Sequence, residues 1–339
     1  MNIEHQAALP TLGNVADRAG VTRLTARRAL YGQLGVGAET RERVLAIAGE
    51  LGYRPNSAAM AMRSGRFNCL ALLISPDRYR GFLTHALLDG IVKEAGETEY
   101  SVTITTIGEK QMVSPTYAPA VLRQWMADGL LINYHFDIPP ELDEMIKKHH
   151  IPAIWLNTRR DTDCVYIDDR QAGRIITEKL LKDGHTRIAY LDFTQHWDNL
   201  SCAHYSVIDR AAGYEDAMRD AGLPSQILRA PTAMPGREIE MAREWLSAAD
   251  RPTAIAMYSA TSATPLALAA ESLGYVIGSD LALAAVDDPI NAPMGIPMIL
   301  ASPDHERMGR ESVAMLREMI EHPKESVPSR AIEAKTIGA

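Results

Sequence analysis

The chain has 339 residues, of which 46% are hydrophobic and 23% are charged, so it is long enough for two or three domains with buried cores. Its three cysteines are Cys69, Cys164 and Cys202, which lie far apart and form no CxxC or Cys/His ligand spacing. This spacing excludes a disulfide framework and a zinc ribbon. No apolar run approaches the roughly 20 residues of a transmembrane helix, and the N-terminus lacks the basic start and apolar run of a signal peptide. We therefore expect a cytoplasmic protein.

The charge of the chain is unevenly spread. Residues 1–66 hold nine arginines, no lysine and five acidic residues, a net charge of +4, whereas the whole chain carries −8. The other 273 residues therefore carry −12. A small basic head on an acidic body is typical of a protein that touches a polyanion through its head alone. A solvated helical face gives the same excess, so charge alone leaves both interpretations open.

After a polar tail over residues 1–10, residues 11–53 predict a small all-α domain of three short helices. Thr11 is placed to cap the first helix, which ends at Gly20, and Thr22 is placed to cap the second. The second helix runs through Leu30, and the third stops at Gly52. The apolar positions expected to form the core are Leu12, Val15, Ala16, Ala19, Val44, Leu45, Ala48 and Leu51.

From Cys69 onward, short apolar runs alternate with segments of helical period, which is typical of buried parallel strands covered by helices on both faces. The predicted strands are Leu70–Ile74, Val102–Ile107, Leu130–Ile132, Ala153–Leu156, Val165–Ile167, Ile188–Leu191, Ala254–Met257 and Leu281–Val286. The predicted helices are Phe82–Ala95, Ala118–Ala127, Leu142–His149, Ala172–Leu181, Ala211–Ala221, Ile239–Ala249 and Leu266–Leu273. Their number exceeds one doubly wound unit and predicts two stacked α/β lobes.

The spacing of Ala16 and Gly20, followed by the second helix, is typical of a helix-turn-helix. The second helix of that motif lies in the DNA major groove with its N-terminal residues at base edges. An arginine there can pair bidentately with guanine, whereas other arginines hold phosphate, which positions the protein without specifying sequence. An ordinary helical hairpin has the same spacing and remains the alternative.

Residues 54–68 predict a very short helix that Asn56 caps and Gly65 ends. A helix of about eight residues is marginal alone, because nucleation is costly, and needs a partner surface. Met60 and Met62, with Arg63 and Arg66, suit a DNA minor groove, where an apolar wedge opens a base step. A plain interdomain linker is the alternative.

Several runs of the sequence together resemble the lactose-repressor (LacI/GalR-type) family. In the head these are Thr11–Thr22, Glu39–Leu45 and Glu50–Asn56. The landmarks in the body follow in the family's order: Asp128–Tyr134, Gly184–Tyr190, Arg210–Tyr214, Pro252–Ile255 and Val286–Asp288. The resemblance covers residues 11–335, nearly the whole chain.

The resemblance implies a small all-α helix-turn-helix head and an α/β periplasmic-binding-protein-like body of two doubly wound lobes that closes on a small ligand and forms a homodimer. The expected domains are a tail (1–10), the DNA-binding head (11–53), a hinge helix or linker (54–68) and the effector-binding and dimerisation body (69–335). Lobe 1 is expected at 69–168 and 302–328, and lobe 2 at 169–299 and 329–339.

Carried over by position, the resemblance implies two sets of contacts. The DNA-binding set is Thr11, Thr22, Arg23, Leu24, Thr25, Arg27, Arg28, Tyr31, Asn56, Ala59, Met62 and Arg63. The effector-binding set is Tyr79, Phe82, Asn133, Asn157, Trp197, Arg210, Ser259 and Asp287. Arg, Asp and Asn can each hold two vicinal sugar hydroxyls, and a pyranose face stacks on aromatic rings.

The sequence departs from the family pattern at three places. Arg27 adds a cation where the family has a serine in Thr-Val-Ser-Arg, so no standard operator is assumed. Ser259-Ala260 replaces the usual Asn-Asp, and Pro303 occupies a slot that often holds a ligand-facing Gln. These losses of polar groups leave the particular sugar open.

We therefore expect a transcriptional regulator, a repressor that binds a pseudo-palindromic DNA operator as a homodimer and responds to a small carbohydrate effector, with no cofactor, metal or membrane partner. Two alternatives stay open, a corepressor-dependent regulator that senses a nucleobase and a solute-binding protein without a DNA role. The sequence has no GxSxG, HExxH, Walker or GxGxxG motif, and we expect no enzyme.

Overall fold

The computed structural model of the protein describes residues 10–54, 65–75, 81–106, 127–135, 138–193, 203–229, 236–323 and 325–337. The chain divides into two compact units, Met1–Phe67 and Asn68–Ala339. The predicted helix at 54–68 and nearly all of the one predicted at 118–127 lie outside the described residues. Within the described residues, no helix has both the length and the apolar composition needed to cross a membrane.

The first unit contains the three predicted helices, α1 (Leu12–Ala19), α2 (Arg23–Leu30) and α3 (Ala38–Glu50). The predicted caps are confirmed: Thr11 and Thr22 cap α1 and α2, and Gly20 ends α1 in the left-handed conformation with φ of 66°. The core consists of small side chains, Val15, Ala16, Ala19, Ala26, Ala29, Val44 and Ala48.

One predicted core residue of the first unit is wrong. Leu45 is 48% exposed, because Val44 and Ala48 stand one turn apart on the buried face of α3 and Leu45 lies about 100° around the helix from Val44.

The second unit holds two six-stranded sheets. The strands of the first are β1 (Cys69–Ile74), β2 (Ser101–Thr106), β3 (Gly129–Asn133), β4 (Ala153–Leu156), β5 (Cys164–Ile167) and β11 (Arg330–Ile332), in the order β11-β5-β4-β3-β1-β2. Those of the second are β6 (Ile188–Asp192), β7 (Gln226–Arg229), β8 (Ala254–Met257), β9 (Ala282–Val286), β10 (Ile299–Pro303) and β12 (Ala334–Ile337), in the order β12-β10-β9-β8-β6-β7. All pairings are parallel except that of β12 with β10.

Helices connect and cover these strands. They are α4 (His85–Glu97), α5 (Pro140–His149), α6 (Asp169–Lys182), α7 (Tyr205–Asp220), α8 (Glu238–Ser247), α9 (Ala263–Ser272) and α10 (His305–Glu321), with 3-10 turns at Ala260–Ser262 and Pro289–Asn291. Helix α10 packs its methionine and leucine side chains on the first sheet, and helices α6 and α7 pack on one face of the second. The two predicted α/β lobes are therefore confirmed, with lobe 1 built on the first sheet and lobe 2 on the second.

In the described part of the chain, the backbone passes between the lobes at three places, after β5, β10 and β11. The side chains of Asp168 and Asp304 cap α6 and α10 at the first two of these crossings. The expected lobe boundaries at residues 302 and 329 differ from the structure. Ser302 and Pro303 pair in the sheet of lobe 2, and β11 pairs with β5 in lobe 1, so lobe 2 resumes at β12.

Four strands and one helix were not predicted: β7, β10, β11, β12 and α10. Three of the strands are edge strands of three or four residues with little apolar content, which gives no period-2 signal. Helix α10 is rich in charge, and its inward methionines and leucine become a core face only against the first sheet.

In each lobe two helices cross at paired glycines. A Cβ on Gly90 of α4 would clash with the carbonyl oxygen of Glu306 in α10, and one on Gly309 would clash with that of Leu87. In lobe 2, Gly173 of α6 and Gly213 of α7 meet the partner helix backbone in the same way. The backbones therefore approach more closely than any side chain at these positions allows.

We expect Gly90→Ala to lower the free energy of unfolding by about 1–3 kcal/mol, because the added methyl meets backbone that cannot rotate away. The matched control is Gly96→Ala in the same helix, where a Cβ meets nothing within 4 Å. This change should raise stability by about 0.5–1 kcal/mol through helix propensity. Urea unfolding of the full chain measures both variants. Equal changes in their free energies of unfolding, in the same direction, would contradict the close crossing at Gly90.

Candidate functional site

The exposed face of α2 carries most of the predicted DNA-binding side chains in the first unit. Ala26 and Ala29 face the core, so Leu24 and Arg28, which stand one helical turn apart, lie together on the outer face. Leu24 is 50% exposed, and Arg23 and Arg28 are exposed as well. The helix therefore presents two guanidinium groups beside one apolar side chain, while Arg27 is only partly exposed.

The predicted threonine contacts have structural partners. The Thr22 hydroxyl oxygen accepts from the backbone N–H of Thr25 at 3.1 Å, and the two hydroxyls lie 2.9 Å apart. Thr11 donates its hydroxyl to the side-chain oxygen of Asn14 at 2.6 Å in a capping box, and Tyr31 is the C-cap of α2. These residues fix the ends of the two helices, whatever else they contact.

Gly13 positions a predicted base contact. Its ideal Cβ would lie 3.0 Å from Nη2 of Arg23, so the Arg23 guanidinium lies directly over the glycine of α1. The side chain of Arg23 is therefore held against the neighbouring helix instead of extending freely from α2.

Six predicted contacts lie outside the described residues: Asn56, Ala59, Met62, Arg63, Tyr79 and Trp197. They stay predictions. Phe82, the remaining aromatic of the predicted effector set, is 62% exposed.

The other predicted effector residues lie at or near the carboxyl ends of strands in both sheets. Asn133 ends β3, Asn157 follows β4, Ser259 lies two residues after the end of β8, and Asp287 follows β9. Arg210 comes from α7. The carboxyl ends of parallel strands are where doubly wound folds place ligands.

Arg210 is the centre of a buried ion pair. Its Nε donates to Oδ1 of Asp169 at 2.6 Å, and Asp169 is 1% exposed. Its Nη1 donates to the carbonyl oxygens of Tyr258 at 2.6 Å and Val286 at 3.0 Å. Burial is the largest single effect and opposes the charge of Arg210, but Asp169 together with Tyr258 and Tyr190 outweighs burial and raises the pKa of Arg210. One guanidinium thus ties α6 and α7 to the ends of β8 and β9.

Asp287 and Ser259 hold the ends of β8 and β9 together. Oδ2 of Asp287 accepts from the Ser259 hydroxyl at 2.7 Å and from the Ala260 N–H at 3.0 Å. Its Oδ1 accepts from the Asp288 N–H at 2.8 Å and from Nδ2 of Asn291 at 2.7 Å. Four donors fill the lone pairs of this carboxylate, so in this arrangement Asp287 has no acceptor site left for a ligand hydroxyl.

Asn157 joins lobe 1 to lobe 2. Its carbonyl oxygen accepts from Nε2 of His204 at 2.8 Å, and its Oδ1 accepts from the Tyr205 hydroxyl at 2.8 Å. Because a carbonyl only accepts, His204 carries its proton on Nε2, and its Nδ1 accepts from the Ser206 hydroxyl at 2.7 Å. Because the Ser206 hydroxyl donates to His204, the Tyr258 hydroxyl, 2.9 Å away, donates to the Ser206 oxygen. The resulting chain of bonds runs from Tyr258 in lobe 2 to Asn157 in lobe 1.

Three histidines gather at the same interlobe face. The ring centroids of His135 in lobe 1 and His204 in lobe 2 lie 5.5 Å apart. Burial, followed by repulsion from His204 and His305, lowers the pKa of His135 to about 3. Burial also lowers the pKa of His204, against the raising effect of its bond to Asn157. His135 and His204 are therefore neutral at pH 7.

The third histidine, His305, lies beside Asp288, with Nδ1 3.2 Å from Oδ2. Burial raises the pKa of Asp288, but the hydrogen bonds from His305 and Ser302 and the electrostatic attraction of His305 together outweigh it, so the net shift is downward. Within the described ranges, no three histidine, cysteine or acidic side chains are placed to hold a metal ion.

The sequence did not single out the residues that build this face beyond the predicted set: His135, Asp169, His204, Tyr205 and His305. Asp169 follows Asp168 in a pair of adjacent acids, and such pairs are more often strand-end or helix-cap residues than a metal or acid–base site; Asp168 is the N-cap of α6. The histidines are scattered along the chain, so only the packing of the two lobes brings them together.

We expect Arg210→Met to lower the free energy of unfolding by about 3–5 kcal/mol, because it leaves the Asp169 carboxylate buried without a counter-charge. Adding Asp169→Asn should restore part of the loss. The control is Arg219→Met on the same helix, whose side chain is 68% exposed and whose loss should cost under about 1 kcal/mol. Similar urea midpoints for the two arginine variants would show that the buried pair is not needed for stability.

We expect stability to fall as the pH drops from 8 to 5. The unfolded chain protonates His135 near pH 6.5, whereas the folded protein keeps it neutral down to about pH 3. The stability is thus present above pH 6.5 and lost below it, by about 2 kcal/mol at pH 5. His135→Gln should flatten this part of the profile, and the exposed His149→Gln should not. If stability depends on pH equally in both variants, groups other than His135 cause the dependence.

Both units match known families. Residues 11–56 match the family described as bacterial regulatory proteins, lacI family. Residues 71–339 match the family described as periplasmic binding proteins and sugar binding domain of LacI family.

Individual proteins agree with these matches. The chain is 29% identical over 218 residues to the HTH-type transcriptional regulator AscG of Escherichia coli (strain K12), covering 63% of this chain and 62% of AscG. It is 24% identical over 326 residues to the HTH-type transcriptional repressor PurR of Vibrio vulnificus (strain CMCP6), covering 93% of this chain and 94% of PurR. The solved lac repressor dimer bound to operator and the anti-inducer ONPF shares the fold, with a TM-score of 0.73 at 22% identity over 97% of both chains.

The match over residues 71–339 spans well over half of the chain, and the head matches the same family. The protein therefore belongs to the lacI family of bacterial regulatory proteins and is a DNA-binding transcriptional regulator with a ligand-binding body.

Proposed function

We propose that the protein is a repressor whose affinity for a pseudo-palindromic operator is switched by a small ligand, a sugar or sugar derivative, held between the two lobes. One observation carries the proposal. The chain joins a helix-turn-helix with an arginine-bearing exposed face to a two-lobed body whose lobes meet through polar side chains. The description of the body's family as a sugar binding domain supports the ligand class.

On the DNA side, α2 enters the major groove of a half-site. Arg28 and Leu24 lie together on its exposed face, where a guanidinium can pair with guanine and a leucine can contact a thymine methyl. The other exposed arginines hold phosphate, so DNA affinity falls steeply as the salt concentration rises. For each phosphate neutralised, log K falls by about 0.9 per unit of log salt concentration. Two copies of the chain read the two half-sites, as a homodimer.

On the ligand side, the effector binds at the carboxyl ends of β3, β4, β8 and β9. Asn133 and Asn157 offer groups from lobe 1, and Arg210 and Tyr258 offer groups from lobe 2. The exposed ring of Phe82 supplies an apolar wall beside His135, whose Nδ1 accepts from the Phe82 N–H at 3.4 Å.

Exchangeable hydrogen bonds between the lobes couple the ligand to DNA. Within the described residues, Asn157 of lobe 1 is bonded to His204 and Tyr205 of lobe 2. Arg159 and Asp209 add an ion pair between them. A ligand that changes these contacts shifts the lobe closure, and only ~1–3 kcal/mol of coupling is needed to alter operator affinity measurably.

Selection of fragments from a random DNA pool by the purified protein tests the proposal, and we expect a pseudo-palindromic consensus. Arg28→Ala should reduce affinity for that consensus far more than for random DNA, whereas equal losses would make Arg28 a phosphate contact only. Sugars are then titrated into the complex, and we expect release of DNA. Tighter binding with a nucleobase would instead identify a corepressor-dependent regulator, and no enrichment at low salt with any ligand would overturn the DNA role.

We expect Gly13→Ala to change the bases selected without loss of folding. The methyl would lie 3.0 Å from Nη2 of Arg23, so the guanidinium must leave its place on α1. The control is Gly49→Ala in α3, where nothing lies within 4 Å. The same selection measures both variants, and an unchanged consensus for Gly13→Ala would show that the position of Arg23 does not affect base choice.

A further inference from the structure

The loop after α2 turns straight back onto that helix. Gly32 adopts the left-handed conformation with φ of 65°, and its N–H donates to the carbonyl oxygen of Ala29 at 3.3 Å. The N–H of Gln33 donates to the carbonyl oxygen of Arg28 at 2.9 Å, which completes a Schellman motif. The loop over residues 32–37 is therefore bonded to the backbone of Arg28, the residue proposed to pair with guanine.

The side chain of Arg28 lies against the same loop. A Cβ built on Gly35 would lie 3.5 Å from Nη1 of Arg28, so the guanidinium passes close to the backbone of Gly35. Gly35 has φ of 90°, a conformation that favours glycine. The backbone and the guanidinium of Arg28 thus both depend on where this loop is held, and a shift of the loop would change the direction in which Arg28 reaches toward DNA.

Arg41 of α3 holds the loop at Gln33. Its Nη2 donates to the carbonyl oxygen of Gln33 at 2.7 Å, so Gln33 is bonded to Arg28 through its N–H and to Arg41 through its carbonyl. Nε of Arg41 is buried, and among the described residues it has no hydrogen-bond partner. With Nε buried and Nη2 bonded to Gln33, the guanidinium is committed to the loop and is not extended into solvent as a phosphate contact is.

The position of Arg41 does not follow from the preferences of α3 itself. Arg41 is the fourth residue of α3, and positive charge is unfavourable near a helix N-terminus because of the helix dipole. The Gln33 carbonyl, in contrast, lies just beyond the C-terminal end of α2, where a cation is favourable. The contact with the end of α2 therefore accounts for an arginine at this position.

Resting on the proposed function, we propose that Arg41 is a positioning residue for operator recognition. It fixes the loop over residues 32–37 and, through that loop, holds the Arg28 guanidinium in the direction that reads a base. Arg41 is one of the nine arginines of residues 1–66, but it acts on base choice and not by holding a phosphate.

Binding of the full-length protein to its selected consensus and to random DNA of equal length tests the proposal. We expect Arg41→Met to lower the affinity for the consensus by about tenfold or more, the size of one misplaced bidentate base contact. Affinity for random DNA should change by less than about threefold, with an unchanged salt dependence, because no phosphate contact is lost. Selection with Arg41→Met should lose base preference at the same position as selection with Arg28→Ala.

A double-mutant cycle separates a positioning role from a direct contact. When Arg28→Ala is already present, adding Arg41→Met should change the consensus affinity by less than about threefold, because Arg41 acts through Arg28. The matched control is Arg43→Met, an exposed arginine of the same helix. It removes the same charge and should lower the affinity for both DNAs alike, with effects that add to those of Arg28→Ala.

Urea unfolding of each variant checks that the head is folded. If Arg41→Met does not fold, Arg41→Lys takes its place, because it keeps the charge and the aliphatic stem but loses the planar guanidinium. It should lower the preference for the consensus by about threefold or more, and this effect should again vanish beside Arg28→Ala.

Equal losses on both DNAs, or effects of Arg41 and Arg28 that add, would overturn the positioning role and make Arg41 a phosphate contact or a purely structural residue. A consensus that the folded Arg41 variant selects unchanged would overturn it as well. These outcomes leave the proposed function intact, since the unchanged protein still selects an operator. An unchanged protein that selects no consensus overturns the DNA role itself, and the role of Arg41 falls with it.

Discussion

The buried ion pair between Arg210 and Asp169 is the interaction on which the interlobe site depends. A guanidinium that is only 14% exposed must be neutralised and hydrogen-bonded, and here one carboxylate and two strand-end carbonyls supply both. In satisfying these needs, Arg210 fixes α6, α7 and the ends of β8 and β9 relative to one another. Tyr258, whose carbonyl oxygen accepts from Arg210, and Asp287, which follows Val286, lie in that frame.

The two lobes are held within themselves far more strongly than to each other. Each lobe has a helix crossing in which glycines let backbone meet backbone, and in lobe 1 the side chains of α10 also pack on the sheet. Between the lobes, the described contacts include the hydrogen bonds of Asn157, the ion pair of Arg159 with Asp209, the contact of His305 with Asp288 and the ring contacts His135–His204 and Tyr166–Tyr205. Polar contacts of this kind exchange with water or ligand at a net cost of about 1 kcal/mol each. This contrast is what a closure switch requires, since a ligand can rearrange the lobes without disturbing either core.

Charge separates the two activities of the chain. The arginine-rich first unit interacts with a polyanion, whereas the net negative charge of the body keeps it from competing for the same phosphates. Within the body, the neutral histidines at the interlobe face are a local exception to that acidity. Burial lowers the pKa of His135 and of His204, and repulsion from His204 and His305 lowers that of His135 further.

The sequence by itself determined the three helices of the head with their caps at Thr11 and Thr22, the alternation of strands and helices, and the family. These follow from local rules, because caps, turn glycines and apolar periods act over a few residues. It also placed Asn133, Asn157 and Asp287 at strand ends. Only the tertiary structure decided that Asp287 is saturated, that Arg210 is paired with Asp169 and that His135, His204 and His305 meet. Those relations join residues far apart in the chain, and no local pattern encodes which lone pairs remain free once the lobes pack.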